Sequence, residues 1–441
     1  MKLGLGCQPP RYDRVSSSSS ERLAAVCLRT YYFAGIAGCF STSIGGVLVS
    51  ASLPQHPAKT AQNVDRLHWL DGARGIAAFY VVLHHVYLTT YGGFPASNGP
   101  WFVGWLLYGH LAVAAFIVIS GFSLTISLTN NGLRTKNGDW AFLVRRFWRI
   151  VPPYWFALAI ASVLVLSGLI TTPSGQPLQV RDIIIHALLL QDTFANVPPN
   201  GVFWSIAVEW HIYFLFPLLV WGFRRFGAIP TVALTALLVI SQNLLAQHVW
   251  FVALFDRFTP QFLLLFVFGM VAAVYFRYPR FAYYAAILSL AITVGLAVGI
   301  PVLDSPAIVA NYFSVDIIFG LAVMGAFMAV ASGNFRALRG ALSWAPIVAM
   351  GEFAFSLYLV HAPILSLVSG FLIQPNGWTG GTAFWVMLAV GTPLAVLASY
   401  VFFLLFERPF LRVRNWSDFA QGFARKTGEP VQSRRGASSG N

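Results

Sequence analysis

Ten stretches of this chain run for roughly 20 residues each with scarcely a charge, and that length does more than any other feature to limit the fold. Lipid offers no partner to backbone N–H and C=O groups, so a segment that crosses it must satisfy them internally, as a helix does. The stretches cover 72–91, 103–128, 150–170, 202–222, 228–247, 259–276, 281–299, 307–331, 347–372 and 381–406. The expected fold is therefore all-α, a polytopic membrane protein with about ten transmembrane helices. Composition agrees: 57% of the 441 residues are apolar and only 10% are charged, against about a quarter charged in soluble proteins. Disorder, a coiled coil, a disulfide scaffold and a soluble nucleic-acid binder are all disfavoured. Cys7, Cys27 and Cys39 all precede the apolar body, so no thiolate metal site has material there, and no metal is expected.

The net charge of +13 raises the question of nucleic acid, and its distribution answers it. If the first stretch leaves the cytoplasm, inner loops and tail hold eighteen Lys and Arg, among them Arg134, Arg145, Arg224, Arg277, Arg336 and Arg408. The outer loops hold Arg181 and Arg257. Such a positive-inside bias places both ends of the core in the cytoplasm, and the basic excess is topogenic, facing anionic lipid.

Residues 1–65 fit this scheme poorly. The stretch 31–53 is apolar enough for a signal segment, yet the basic residues before it would send the following helix the wrong way. They are expected to be a poorly structured or interfacial extension. Residues 66–412 would form the transmembrane domain and 413–441 a disordered cytoplasmic tail. The one sizeable outer loop, 171–200, contains an apolar piece from Val180 to Leu190 too short to span.

Ionisable groups inside a membrane cost about 2.5–3.5 kcal/mol on insertion scales, so each is a site hypothesis. The candidates are His84, His85, Glu209, His211, Asp316, Glu352 and His361, with Asp71, Arg74 and Glu407 at helix ends. Arg74 and His85 stand eleven residues apart, which returns a helix to within about 20° of the same face, roughly 16 Å along the axis. His84, about 100° away, reads as a packed or supporting histidine. Ser205, Glu209 and Tyr213 repeat every fourth residue and share a face.

Glu209 and His85 would lie at matching depth, where they form either a base with its orienting carboxylate or a plain interhelical hydrogen bond. Tyr358 and His361, one turn apart, would hold a sugar hydroxyl or cap a packed interface. Arg145, Arg146 and Arg149 are either topogenic charge or forks for the phosphates of a lipid or a nucleotide-containing donor. Phosphate-binding capacity at the inner end and an acid/base pair nearer the outer end would let an enzyme pass an activated group across. The alternative is a secondary transporter or exporter of an acylated or anionic compound, although no internal repeat supports it.

Several segments resemble the acyltransferase-3 family of integral membrane acyltransferases. These are Leu70 to His85 with its Arg-x10-His spacing, Phe116 to Leu124 with Ser-Gly-Phe, and Arg145 to Trp155. Trp204 to Pro217, Phe355 to Ile364 and Phe406 to Phe410 continue the series in the family's order. The resemblance implies a ten-helix enzyme of the bacterial inner membrane that moves an acyl group, usually acetyl from acetyl-CoA, onto a carbohydrate or glycolipid hydroxyl. Carried over by match, His85 would be the catalytic base and Glu209 its assistant, and Arg74, Arg146 and Arg149 would hold the CoA donor. Ser120, Tyr358 and His361 would support the substrate or the developing charge. The long N-terminal extension departs from the pattern.

Overall fold

A computed structural model describes residues 67–413 apart from 136, 195, 254–256 and 303. The expectations for residues 1–65 and for the tail lie outside the described residues. Among the described residues every regular element is helical and none is a strand, in keeping with an all-α polytopic membrane protein.

The main helices are α1 (His68–Tyr91), α2 (His110–Thr129), α3 (Gly138–Leu166), α4 (Trp204–Arg225) and α5 (Ala228–Ala246). They continue with α6 (Gln261–Tyr275), α7 (Pro279–Val302), α8 (Tyr312–Ala331) and α9 (Ala354–Val368). The last, α10, runs over Gly380–Glu407 and is interrupted by two wide π-type turns. Each falls on one of the ten stretches read from the sequence. Eight are long and apolar enough to cross a membrane; α1 and α6 fall outside that set. α6 has only 15 residues, and α1 pairs a moderate hydropathy with Asp71, Arg74 and two histidines.

Boundaries shift where local chemistry interrupts the apolar runs. The stretch 347–372 is two helices, Ala345–Glu352 and α9, broken at Phe353. α3 begins at Gly138 rather than near 150, so Arg145, Arg146 and Arg149 lie in its body and not at its start. The short apolar piece of the 171–200 loop is the eight-residue helix Val180–Ala187. It starts with a reciprocal capping box between Gln179 and Asp182.

The interior is built around α2, which buries 67% of its most apolar window, whereas α7 buries only 11% and presents Leu290, Val294 and Val298 outward. A helix apolar on every side suits a lipid-facing position, because lipid and a packed core ask for the same residues. α2 and α6 meet backbone to backbone. A Cβ added at Gly121 would lie 2.0 Å from the Phe266 carbonyl oxygen, and one at Gly269 would lie 2.1 Å from that of Val118. Only hydrogen fits at either place, the small-residue contact that membrane helices use in place of a hydrophobic driving force. Phe122, the next residue, is fully buried with its ring edge-on to Trp69 (5.5 Å) and Phe327 (5.7 Å). α1 packs on α2, α9 and the Ala345–Glu352 helix, so its polar stripe faces the protein.

Candidate functional site

A cavity of about 340 Å³ opens among α1, α2, α3, α4 and α9. Arg74, Arg146 and Arg149 line it, as do Ser120, Glu209 and Tyr358. Arg74 is held in place: one guanidinium nitrogen pairs with Asp71 Oδ1 at 3.1 Å and the other donates to Ser123 Oγ at 2.6 Å. Arg146 lies over the Phe142 and Tyr213 rings at 5.8 and 6.0 Å, and its buried Nε has no hydrogen-bond partner. Among the described residues neither Arg146 nor Arg149 is hydrogen-bonded to a protein group. Two guanidinium forks thus face a cavity with donors to spare, an arrangement that fits phosphate oxygens.

Ser205, Glu209 and Tyr213 all line the cavity, as their four-residue spacing on α4 requires. The Glu209 carboxylate accepts hydrogen bonds from Ser120 Oγ and from the Tyr213 hydroxyl. Ser120 reaches it because Gly121, beside it, has brought α2 deep into the bundle. Ser205 Oγ and the Tyr358 hydroxyl form a 2.6 Å hydrogen bond farther along the same wall. Glu407 accepts from the backbone N–H of Ser356 at 3.2 Å and from its hydroxyl, and completes the arginine end.

His85 does not line this cavity, nor is it hydrogen-bonded to Glu209. The expected pairing of the two is corrected here: helices α1 and α4 present them to different neighbours, and matching depth alone does not bring side chains together. The partner of His85 is His361, whose Nε2 lies 3.2 Å from His85 Nδ1, with ring centroids 4.8 Å apart. His361 in turn is one turn from Tyr358, ring to ring 6.1 Å, so the cavity wall is separated from the histidine pair by that tyrosine.

The hydrogen bonds fix both tautomers. A carbonyl oxygen can only accept, so His85 Nδ1 must carry the proton it shares with Val81 O at 2.9 Å, and His361 Nδ1 the one it gives Leu357 O at 2.9 Å. His361 Nε2 is then a lone pair that accepts the second branch of the His85 Nδ1–H bond. What remains on His85 is a bare Nε2, the atom a general base requires. The fully buried His361 thus stands beside His85, where Glu209 was expected.

His84 is buried and donates from Nδ1 to Leu106 O at 2.8 Å, as befits a supporting histidine. His211 sits 3.8 Å from Asp192 Oδ2, a residue of the 171–200 loop whose burial pushes its carboxyl up to about 7. Asp316 bonds to His110, which sequence reasoning passed over: it stands at the mouth of an apolar stretch, and its signal was only that an imidazole is out of place there.

The family model described as an acyltransferase domain matches residues 67–404 of the chain. Acyltransferase MdmB of Streptomyces mycarofaciens is 26% identical over 79% of this chain and 93% of its own length. Nodulation protein 10 of Rhizobium leguminosarum bv. viciae is 25% identical over 78% and 93% respectively. O-acetyltransferase OatA of Staphylococcus aureus (strain NCTC 8325 / PS 47) is 25% identical over 69% of this chain, which reaches 51% of that protein. No solved structure matches.

Proposed function

The chain belongs to the acyltransferase-3 family and is an O-acyltransferase, and from that premise we propose that it moves an acyl group from acyl-CoA to a carbohydrate or glycolipid hydroxyl, with His85 as base. Acetyl is the acyl group this reading expects, in line with the similarity to O-acetyltransferase OatA. His85 Nε2 takes the hydroxyl proton as the oxygen attacks the thioester carbonyl. The new C–O bond forms as the C–S bond breaks, and the imidazolium returns its proton to the departing thiolate. The Nδ1–H bond to His361 strengthens as charge builds on His85, which is stabilisation gained in the transition state and not before it. Arg74, Arg146 and Arg149 hold the phosphates of the CoA moiety. Glu209, Ser120 and Tyr213 form a hydrogen-bonded brace that keeps Arg146 and the cavity wall in place.

The observation that carries this reading is the cavity itself. One end has two arginine forks with unspent donors, and the other ends at Tyr358, next to the histidine pair. The family assignment removes the transporter alternative. With eighteen inner against two outer basic residues, the arginine end faces the cytoplasm, where CoA is found, in a bacterial inner membrane.

Purified protein and labelled acetyl-CoA provide the test. His85→Ala should lose transfer by about 10²–10⁴-fold while still binding CoA, whereas Arg146→Ala should weaken CoA binding. Undiminished transfer by His85→Ala would refute the assignment.

A further inference from the structure

A second imidazole lies outside the machinery just described. His110, the first residue of α2, donates from Nε2 to Asp316 Oδ2 on α8 at 2.9 Å. Asp316 is fully buried, and Gln261 on α6 donates to the same oxygen at 3.1 Å. The His110 ring lies parallel to those of Tyr312, at 4.2 Å and 11°, and Trp204, at 5.6 Å and 7°.

With Nε2–H committed to the carboxylate, His110 Nδ1 keeps a lone pair, no group among the described residues bonds to it, and 18% of the side chain is exposed. Asp316 Oδ1 and the Tyr312 hydroxyl, one turn apart on α8, are both buried without a hydrogen-bond partner among the described residues.

The cluster belongs to the His85 end of the protein. The N–H of Gly109 lies 3.3 Å from His84 Nδ1, and the His84 ring meets the His85 ring edge-on at 4.9 Å. Tyr80, on the same helix as His84 and His85, stacks on Trp105 at 5.5 Å. Aromatic faces beside a carboxylate, an amide and an imidazole match a sugar ring. The faces cover its C–H surface and the imidazole, held by the buried Asp316 and Gln261 behind it, takes a hydroxyl.

We propose that His110, oriented by Asp316, is the acceptor subsite: its Nδ1 accepts the hydrogen of a hydroxyl other than the one being acylated. The acceptor is then a pyranose or similar cyclic polyol, and the His110–Asp316 pair selects which hydroxyl reaches His85. This rests on the acyl-transfer reading.

The test uses the full chain in detergent, labelled acetyl-CoA, and a panel of octyl glucoside, octyl galactoside, octyl N-acetylglucosaminide and cyclohexanol. The double variant His110→Phe with Asp316→Leu keeps the ring stack and strands no carboxylate. It should raise the pyranoside KM about tenfold or more and scatter the acylated position, with acetyl-CoA binding unchanged. Should that variant not fold, His110→Gln, which keeps a donor toward Asp316, carries the same comparison. An unchanged pyranoside KM and an unchanged acylated position overturn the proposal, as does a wild-type chain that acylates cyclohexanol as well as the pyranosides. A wild-type chain that binds no acetyl-CoA overturns the acyl-transfer reading, and this proposal with it.

Discussion

Replacing His361 by Phe removes the Nε2 acceptor that faces His85, along with a local Nδ1–H bond to Leu357 O of its own helix, and leaves a ring of similar size in a fully buried position. In the resting enzyme His85 Nδ1–H divides its bond between Val81 O at 2.9 Å and His361 Nε2 at 3.2 Å, and the first survives the change. The tautomer is therefore kept. What is lost is the second branch, which becomes charge-assisted only when His85 Nε2 takes the acceptor proton. A hydrogen bond to a charged group is worth about 1.5–3 kcal/mol, and each 1.36 kcal/mol is about tenfold in rate. The expected loss is about 10–150-fold in kcat, smaller than for His85→Ala, with the KM for acetyl-CoA unchanged because His361 is absent from the arginine cavity. Steady-state transfer from labelled acetyl-CoA over a range of donor concentrations measures both constants. His361→Gln, whose amide oxygen accepts, should recover part of the rate. A His361→Phe enzyme with wild-type kcat, or one whose defect lies entirely in donor KM, would refute the reasoning.

Glu209→Gln should change donor KM rather than the pH dependence of kcat, since the carboxylate bonds to Ser120 and Tyr213 and not to His85; a shifted kcat profile would restore it as the orienting group. Gly121→Ala should destabilise the fold by about 1–3 kcal/mol or more, because its Cβ would lie 2.0 Å from a backbone oxygen. Gly295→Ala on α7, whose Cβ meets nothing within 4 Å, should stabilise by up to about 1 kcal/mol, and thermal unfolding in detergent compares the two. Asp192→Asn should raise stability above pH 7 and have little effect near pH 4. Burial raises the folded carboxyl from 3.8 to about 7, so the folded state binds the extra proton and stability falls as pH rises through that window. Equal melting-temperature gains at pH 4 and pH 8 would contradict this.

The fold was legible because the feature that dictates it is one-dimensional. Any run of apolar residues long enough to cross lipid must be helical, whatever its neighbours, and each of the ten runs holds a main helix, eight of them long and apolar enough to cross. Facing along one helix was equally readable: Ser205, Glu209 and Tyr213 line one cavity because their spacing is set by the 3.6-residue turn alone. Breaks at Phe353 and Asn311 were not readable, since an interrupted apolar stretch looks continuous to hydropathy.

Relations between helices were beyond the sequence. It supplied Arg74, His85, Glu209 and His361 as polar residues in apolar surroundings, and it marked each as unusual. Which of them touch depends on the rotation and tilt of each helix, and these follow from contacts such as the one between Gly121 and the Phe266 backbone. That packing gave His85 a histidine in place of a carboxylate, left Arg146 with donors to spare and joined His110 to Asp316. Periodicity along a chain is a property of backbone geometry, whereas the partner across an interface is chosen by close packing of several helices at once, and only the tertiary structure contains that choice.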